Sequence, residues 1–376
     1  MKRVVLLSAT LACLLAGLLS VGATAAPPPV LAKAYLVQNA GTGEVLAVSD
    51  GRRRLPIASI TKLMTALVTL ERARLDEVVT VTQRAAAIGE SSIDLRPGER
   101  VSVADLLRAA LVQSANDAAN ALAAHVGGGS IAAFVDLMNA RALELGLTDT
   151  HFVNPDGLDA PGHVSSARDV TKLARVAMRK PFIRETVRLV TAEAAGRRLT
   201  TWNDLLTQYP RVFGVKTGHT NGAGWSEVAA ARGGGVTIYA TLLGGATRDG
   251  RNADLAALLG WGLRQYRKAW TIEPDRVYAS ARTAYGRPAV RLVASAPALR
   301  VVKIDRMLVE RVVAPVEVAL PVRAGQRLGT VQVLDRGTVV AASPLVAAAA
   351  VDLPDTLDRV GFYAGRTVHH LWGSIS

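Results

Sequence analysis

The strongest constraint on the fold is a change of hydrophobic period that occurs three times along the chain. Ala34 to Val48 alternates in two short apolar runs around Gly41-Thr42-Gly43, the pattern of a β-hairpin. Helical spacing rich in Ala and Leu then takes over in Ser59–Arg72, Val103–Val126 and Ile131–Leu145, with Gly127-Gly128-Gly129 between the last two. Strand-like runs return at Val212–Lys216, Ser226–Ala231 and Val236–Leu243, and Ala253–Trp270 reads as a closing amphipathic helix. A helical block inserted between strands predicts an α/β (α+β) domain, an antiparallel sheet against a helical cluster, over residues 26–268.

Beyond Trp270 the pattern shortens to segments such as Val290-Arg291-Leu292-Val293, Val316-Glu317-Val318 and Val331-Gln332-Val333 between Pro and Gly turns. These predict a small all-β domain over 269–352. In the tail, 353–376, Val360, Tyr363, Ala364, Val368, Leu371 and Ile375 share one helical face from Leu357 to Ile375. Such a face suits peripheral membrane contact or docking on the protein itself, and Gly361, Gly365 and Gly373 weaken the helix.

At the other end, Lys2 and Arg3 precede an apolar run from Val4 to Val21 and the small-residue site Ala23-Thr24-Ala25. Residues 1–25 therefore read as a signal peptide, the alternative being an uncleaved anchor. Either places the protein outside the cytoplasm, at the outer face of the cytoplasmic membrane. The only cysteine, Cys13, lies within that segment and in a poor lipoprotein context, which excludes disulfides and thiol chemistry from the mature chain. Removing Lys2 and Arg3 from the formal charge of +13 leaves +11, a basic surface suited to anionic lipid or wall polymer or simply solvated. No basic-aromatic array points to nucleic acid. The histidines His125, His151, His163, His219, His369 and His370 show no zinc-type spacing, so neither a metal nor a cofactor is expected.

Three short motifs carry chemistry. Ser59-Ile60-Thr61-Lys62 puts a hydroxyl and an amine on one helical face, a nucleophile with a base whose pKa burial would lower. Ser114-Ala115-Asn116 offers a proton relay and an amide to hold a substrate amide. Lys216-Thr217-Gly218-His219-Thr220 ends an apolar run and would give an edge strand a cation, two hydroxyls and room for a ligand backbone. Each alone is common, as a helix cap, a polar turn or a hairpin end. Their order, with spacings of 55 and 102 residues, makes coincidence improbable.

With the flanks Ala58–Ala66, Gln113–Ala118, His151-Phe152-Val153-Asn154-Pro155-Asp156-Gly157-Leu158 and His163–Asp169, the chain resembles the D-Ala-D-Ala carboxypeptidases among the low-molecular-mass penicillin-binding proteins. The resemblance implies a β-lactamase/transpeptidase-like fold followed by a β-rich domain. It implies a substrate, the peptidoglycan stem peptide ending in D-Ala-D-Ala, and β-lactams as inhibitors. It gives catalytic roles to Ser59, Lys62 and Ser114, a place in the polar site to Asn116 and Lys216, and an oxyanion hole to the backbone N–H groups of Ser59 and His219. The terminal carboxylate would fall to Thr217, Thr220 and Arg251. Some relatives carry an arginine near that carboxylate where this chain has Trp202. A side-chain base role for His219, a β-lactamase and a non-catalytic penicillin-binding sensor are the rival readings; no Glu-x-x-x-Asn motif that would serve a β-lactamase occurs between Ala140 and Arg211.

Overall fold

The computed structural model describes residues 26–363. They divide into one compact unit that ends at Gln265 and another that begins at Tyr266. The expected signal segment lies outside the described residues, as does the tail from residue 364 on.

In the first unit β1 (Ala34–Asn39) and β2 (Val45–Ser49) form the hairpin. The small pair β3 (Val78–Thr80) and β4 (Arg100–Ser102) and the small pair β5 (Thr191–Ala194) and β6 (Arg197–Thr200) lie outside the main sheet. A meander of β7 (Val212–Thr220), β8 (Gly224–Gly233) and β9 (Val236–Gly245) completes an antiparallel five-stranded sheet of order β2-β1-β9-β8-β7. Strand β7 is thus an edge, open to a ligand on one side.

Helices α1 (Lys62–Arg72), α2 (Gln83–Ala86), α3 (Val103–Arg108), α4 (Asn116–Val126), α5 (Ile131–Glu144), α6 (Ala167–Ala177), α7 (Pro181–Thr186) and α8 (Leu205–Gln208) fall between β2 and β7. Apolar residues of α1, α4 and α6 share one core with Leu36, Val228, Tyr239 and Leu243 of the sheet. On the opposite face α9 (Arg248–Arg264) packs so closely that a Cβ on Gly262 would stand 2.9 Å from Ile238 and 3.2 Å from Val37. Both faces of β9 are therefore covered, and every residue from Ile238 to Gly245 is buried. That is why the run lacks a polar-apolar alternation.

Two expectations are corrected. Val103–Val126 is not one helix: after α3 a wide turn over Ala109–Gln113 ends at Ser114, whose φ of 65° is left-handed, and α4 starts afresh at Asn116. The closing helix stops at Arg264, and Tyr266–Ile272 is a strand, β10. Its residues pair with β13 (Ala298–Lys303), a long-range partner that overrides local helical spacing.

The second unit adds β11 (Val277–Thr283), β12 (Val290–Ala294), β14 (Val309–Val313), β15 (Glu317–Val318), β16 (Arg327–Asp335) and β17 (Thr338–Ala347). They form a six-stranded sheet of order β14-β16-β17-β12-β11-β15, around Ile272, Leu292, Val331 and Leu345. Helical turns resume at residues 356–363, where Leu357 is 83% exposed while Phe362 meets Tyr285 edge-on.

Candidate active site

Ser59 lies in a tight helical turn, Ala58–Thr61, that runs straight into α1. Ala58 enters it at a left-handed φ of 47°, a strained conformation for a residue with a Cβ. The turn leaves Ser59 half-buried, and Lys62, one helical step away, fully buried. The Lys62 ammonium donates to Ser59 Oγ at 2.8 Å, Asn116 Oδ1 at 2.7 Å and the Asp156 carbonyl at 2.8 Å. All three of its donor directions are used. Burial pushes its pKa down to about 8, against the opposing pull of Asp156, Glu90 and Asp117.

The left-handed turn at Ser114 points its hydroxyl at the Lys216 ammonium, 2.9 Å away, while Asn116 opens α4 facing Lys62. Lys216 is also held by the Thr217 carbonyl at 3.0 Å. Burial, and then repulsion by Lys62, push Lys216 well below its ordinary pKa. These residues thus form one polar cluster of two hydrogen-bonded groups, Ser59 with Lys62 and Asn116, and Ser114 with Lys216, gathered where Ser59, Ser114 and Asn116 line one pocket. Gly218 is required by close approach: a Cβ there would stand 2.7 Å from the Ile57 carbonyl and 3.1 Å from Ser59 N. The edge strand can lie against the Ser59 turn only without a side chain.

The flank 153–158 supports that turn from behind. Asn154 Oδ1 accepts the Gly157 N–H, Asn120 donates to Asp156, and Thr65 donates to the Pro155 carbonyl. His163 accepts the Val153 N–H on Nδ1 and meets Thr61 Oγ1 at 2.7 Å through Nε2. Burial pushes its pKa down to about 4, so near neutral pH it is an uncharged strut. Gly157 has φ +92°, and a Cβ on it would lie 2.0 Å from the Ala58 carbonyl oxygen. Gly157→Ala should therefore cost about 3 kcal/mol or more, lowering the melting temperature by roughly 6–12 °C, because backbone cannot yield like a flexible side chain. Thermal denaturation followed by circular dichroism measures this; an unchanged melting temperature would refute the close packing.

The cluster opens into a pocket of about 240 Å³ lined by Ser59, Glu90, Ser91, Ser114, Asn116, Trp202, Thr217, Gly218, His219, Trp225 and Arg251. Eight of the nine site residues expected from the sequence are placed at this pocket or in the cluster beneath it. The exception is Thr220: its hydroxyl donates to Asp159 Oδ1 at 2.7 Å and accepts the Ala223 N–H, which uses it up in the turn after β7. His219 stacks its ring on Trp225, with centroids 4.0 Å apart. Trp202 donates to the Gln113 carbonyl and lies under the Arg248 guanidinium. Arg251 reaches the pocket wall but is only 2% exposed, with Glu227 Oε2 3.1 Å and Asp204 Oδ2 3.6 Å away and two hydrogen bonds to Asn252 Oδ1.

Sequence reasoning missed Glu90, Ser91, Asp117, Trp225 and Glu227. Asp117 accepts the N–H groups of Ile93, Leu95 and Ala118 and so fastens the wall segment that carries Glu90 and Ser91 to the start of α4. The visible signal was Glu227, an acid beside the one serine of the otherwise apolar run Ser226–Ala231.

Comparison with known proteins gives this geometry a family. The model described as D-alanyl-D-alanine carboxypeptidase matches residues 21–247, more than half of the chain. The D-alanyl-D-alanine carboxypeptidase DacC of Escherichia coli is 31% identical over 93% of this chain and 92% of its own length. Among solved structures, penicillin binding protein 6B from Escherichia coli superposes with a TM-score of 0.65 at 30% identity, covering 87% of this chain and 99% of that one. The Streptomyces K15 DD-transpeptidase does so with a TM-score of 0.61 at 32% identity, covering 64% of this chain and 100% of that one. The fold is that of the penicillin-binding DD-peptidases, and the chain belongs to the D-alanyl-D-alanine carboxypeptidase family of serine peptidases.

Proposed function

We propose that this enzyme removes the terminal D-alanine from peptidoglycan stem peptides through an acyl-Ser59 intermediate. The observation that carries the reading is the 2.8 Å contact between Ser59 Oγ and a fully buried lysine whose pKa lies near 8. At that value part of the Lys62 population is neutral near physiological pH, and a neutral amine can take the serine proton as the oxygen attacks.

Ser59 Oγ attacks the carbonyl of the penultimate D-alanine, and its proton passes to Lys62. The carbonyl oxygen becomes an oxyanion, stabilised by the backbone N–H groups of Ser59 and His219. The close fit of Gly218 on the Ser59 turn supports this pairing, since it brings the start of α1 and the end of β7 side by side. Collapse breaks the C–N bond, and a proton from Ser114 or Lys62 goes to the departing D-alanine amine. Water then hydrolyses the ester, releasing the shortened peptide and restoring the serine. Asn116 holds the substrate amide, Lys216 keeps the Ser114 relay in place, and Thr217 and Arg251 face the terminal carboxylate. β-Lactams acylate the same serine.

The enzyme works outside the cytoplasm at the outer face of the cytoplasmic membrane, with the C-terminal tail as its peripheral membrane contact, and serves cell-wall biogenesis. Among the described residues no single helix is long and apolar enough to cross a membrane. Purified protein should release free D-alanine from a Lys-D-Ala-D-Ala peptide while turning penicillin over slowly. Rapid penicillin turnover with no D-alanine released would make it a β-lactamase, and penicillin labelling without D-alanine release would make it a binding protein.

A further inference from the structure

Beneath the carboxylate end of the pocket lies a group that the reaction above does not use. Glu227 on β8 pairs in register with Thr217 on β7 and with Leu242 on β9, so its side chain shares the face of Thr217, on which α9 packs. It is 0% exposed. Among the described residues neither of its carboxylate oxygens accepts a hydrogen bond. Its partner is a charge: Arg251 Nε lies 3.1 Å from Oε2, at an angle that makes an ion pair without a hydrogen bond. A buried carboxylate in this state is poorly explained by stability, because desolvation opposes it and an apolar residue of the same size would pack at less cost.

Its effect falls on Arg251. The other nearby anion, Asp204, is engaged by Arg248, which donates to both its oxygens at 2.8 and 2.6 Å. Asp204 also lies farther from Arg251, at 3.6 Å against 3.1 Å, so Glu227 is the nearer acid that offsets the Arg251 charge where the guanidinium meets the pocket, and a ligand carboxylate must compete with it. We infer that Glu227 is a positioning residue for substrate binding, which through Arg251 sets how strongly the pocket attracts a terminal carboxylate. The inference rests on the assignment of Arg251 to that carboxylate.

The charged and titratable groups facing Glu227 are Arg251 and Arg248 from α9, Lys216 from β7 and Asp204 before α8, with exposed His219 two residues along from Thr217. Burial raises Glu227 to about 7, against the pull of Arg251. Below that pH the acid is neutral and Arg251 is less compensated, so KM is lower; above it KM rises.

The test is kcat and KM for D-alanine release at pH 6 and pH 8, on wild type, Glu227→Gln and Glu227→Met. Both variants should lower KM at pH 8 by about fivefold, leave kcat within about twofold and abolish the wild-type rise of KM with pH. Unchanged or raised KM at pH 8, or a KM slope retained in the variants, would overturn the inference, as would failure of both to fold by circular dichroism. Absence of D-alanine release from wild type would instead sink the carboxypeptidase reading itself.

Discussion

Ser59→Ala should release D-alanine at least about ten-thousandfold more slowly than wild type, since it removes the pocket-lining hydroxyl that Lys62 holds where the edge strand closes on the start of α1. Ser114, held at 2.9 Å by the other buried lysine, Lys216, serves as the relay in this account and does not replace it. The variant should keep its fold. Ser59 is only half-buried, and without it Lys62 retains Asn116 Oδ1 and the Asp156 carbonyl as acceptors. Its melting temperature should lie within about 2 °C of wild type. A D-alanine release assay on equal amounts of folded protein checks the rate; activity above about one per cent would move the nucleophile elsewhere.

Lys62→Met should lower kcat/KM by about a thousandfold, by removing the base while keeping the length of the side chain. The loss separates from unfolding on physical grounds. Methionine leaves Asn116 Oδ1 and the Asp156 carbonyl without a donor, yet it also removes an ammonium that burial disfavours. The pH dependence supplies the sign. Lys62 acts as a base only when neutral, so wild-type acylation should rise with pH through about 8 and then level, and the residual rate of the variant should lack that rise. Stability follows the same proton. An unfolded lysine keeps its proton to about 10.5, so between about 8 and 10.5 the unfolded chain binds more protons than the native one. Wild-type stability attributable to Lys62 is therefore fully present above 10.5 and is lost as pH falls through about 8. Stopped-flow acylation by a chromogenic β-lactam across pH 6 to 10 reads the rate, and urea denaturation over the same range reads the stability.

Much of the site was legible because its chemistry is written in short local spacings. Ser59 and Lys62 meet by the three-residue helical step, and Lys216 ends an apolar run whose neighbours make it an edge strand. What escaped depends on partners distant in sequence. Ser114 breaks a segment that reads as continuous helix, because its left-handed backbone serves the contact with Lys216, 102 residues away. Thr220 belongs by spacing to the motif with Thr217, but Asp159 takes its hydroxyl. The end of α9 at Arg264 is set by pairing of the next strand with β13, which no local period encodes. Glu227 was visible as an acid in an apolar run, yet its relation to Arg251 appears only once β8 and α9 are packed together.

The central claim is that Ser59 becomes the acyl carrier. Intact mass spectrometry of wild type and Ser59→Ala after brief exposure to benzylpenicillin tests it most directly, followed by peptide mapping. Wild type should gain one penicilloyl mass, located on the peptide that contains Ser59, and the variant should gain none. An adduct retained in the Ser59→Ala protein, or mapped in wild type to any other residue, would contradict the account.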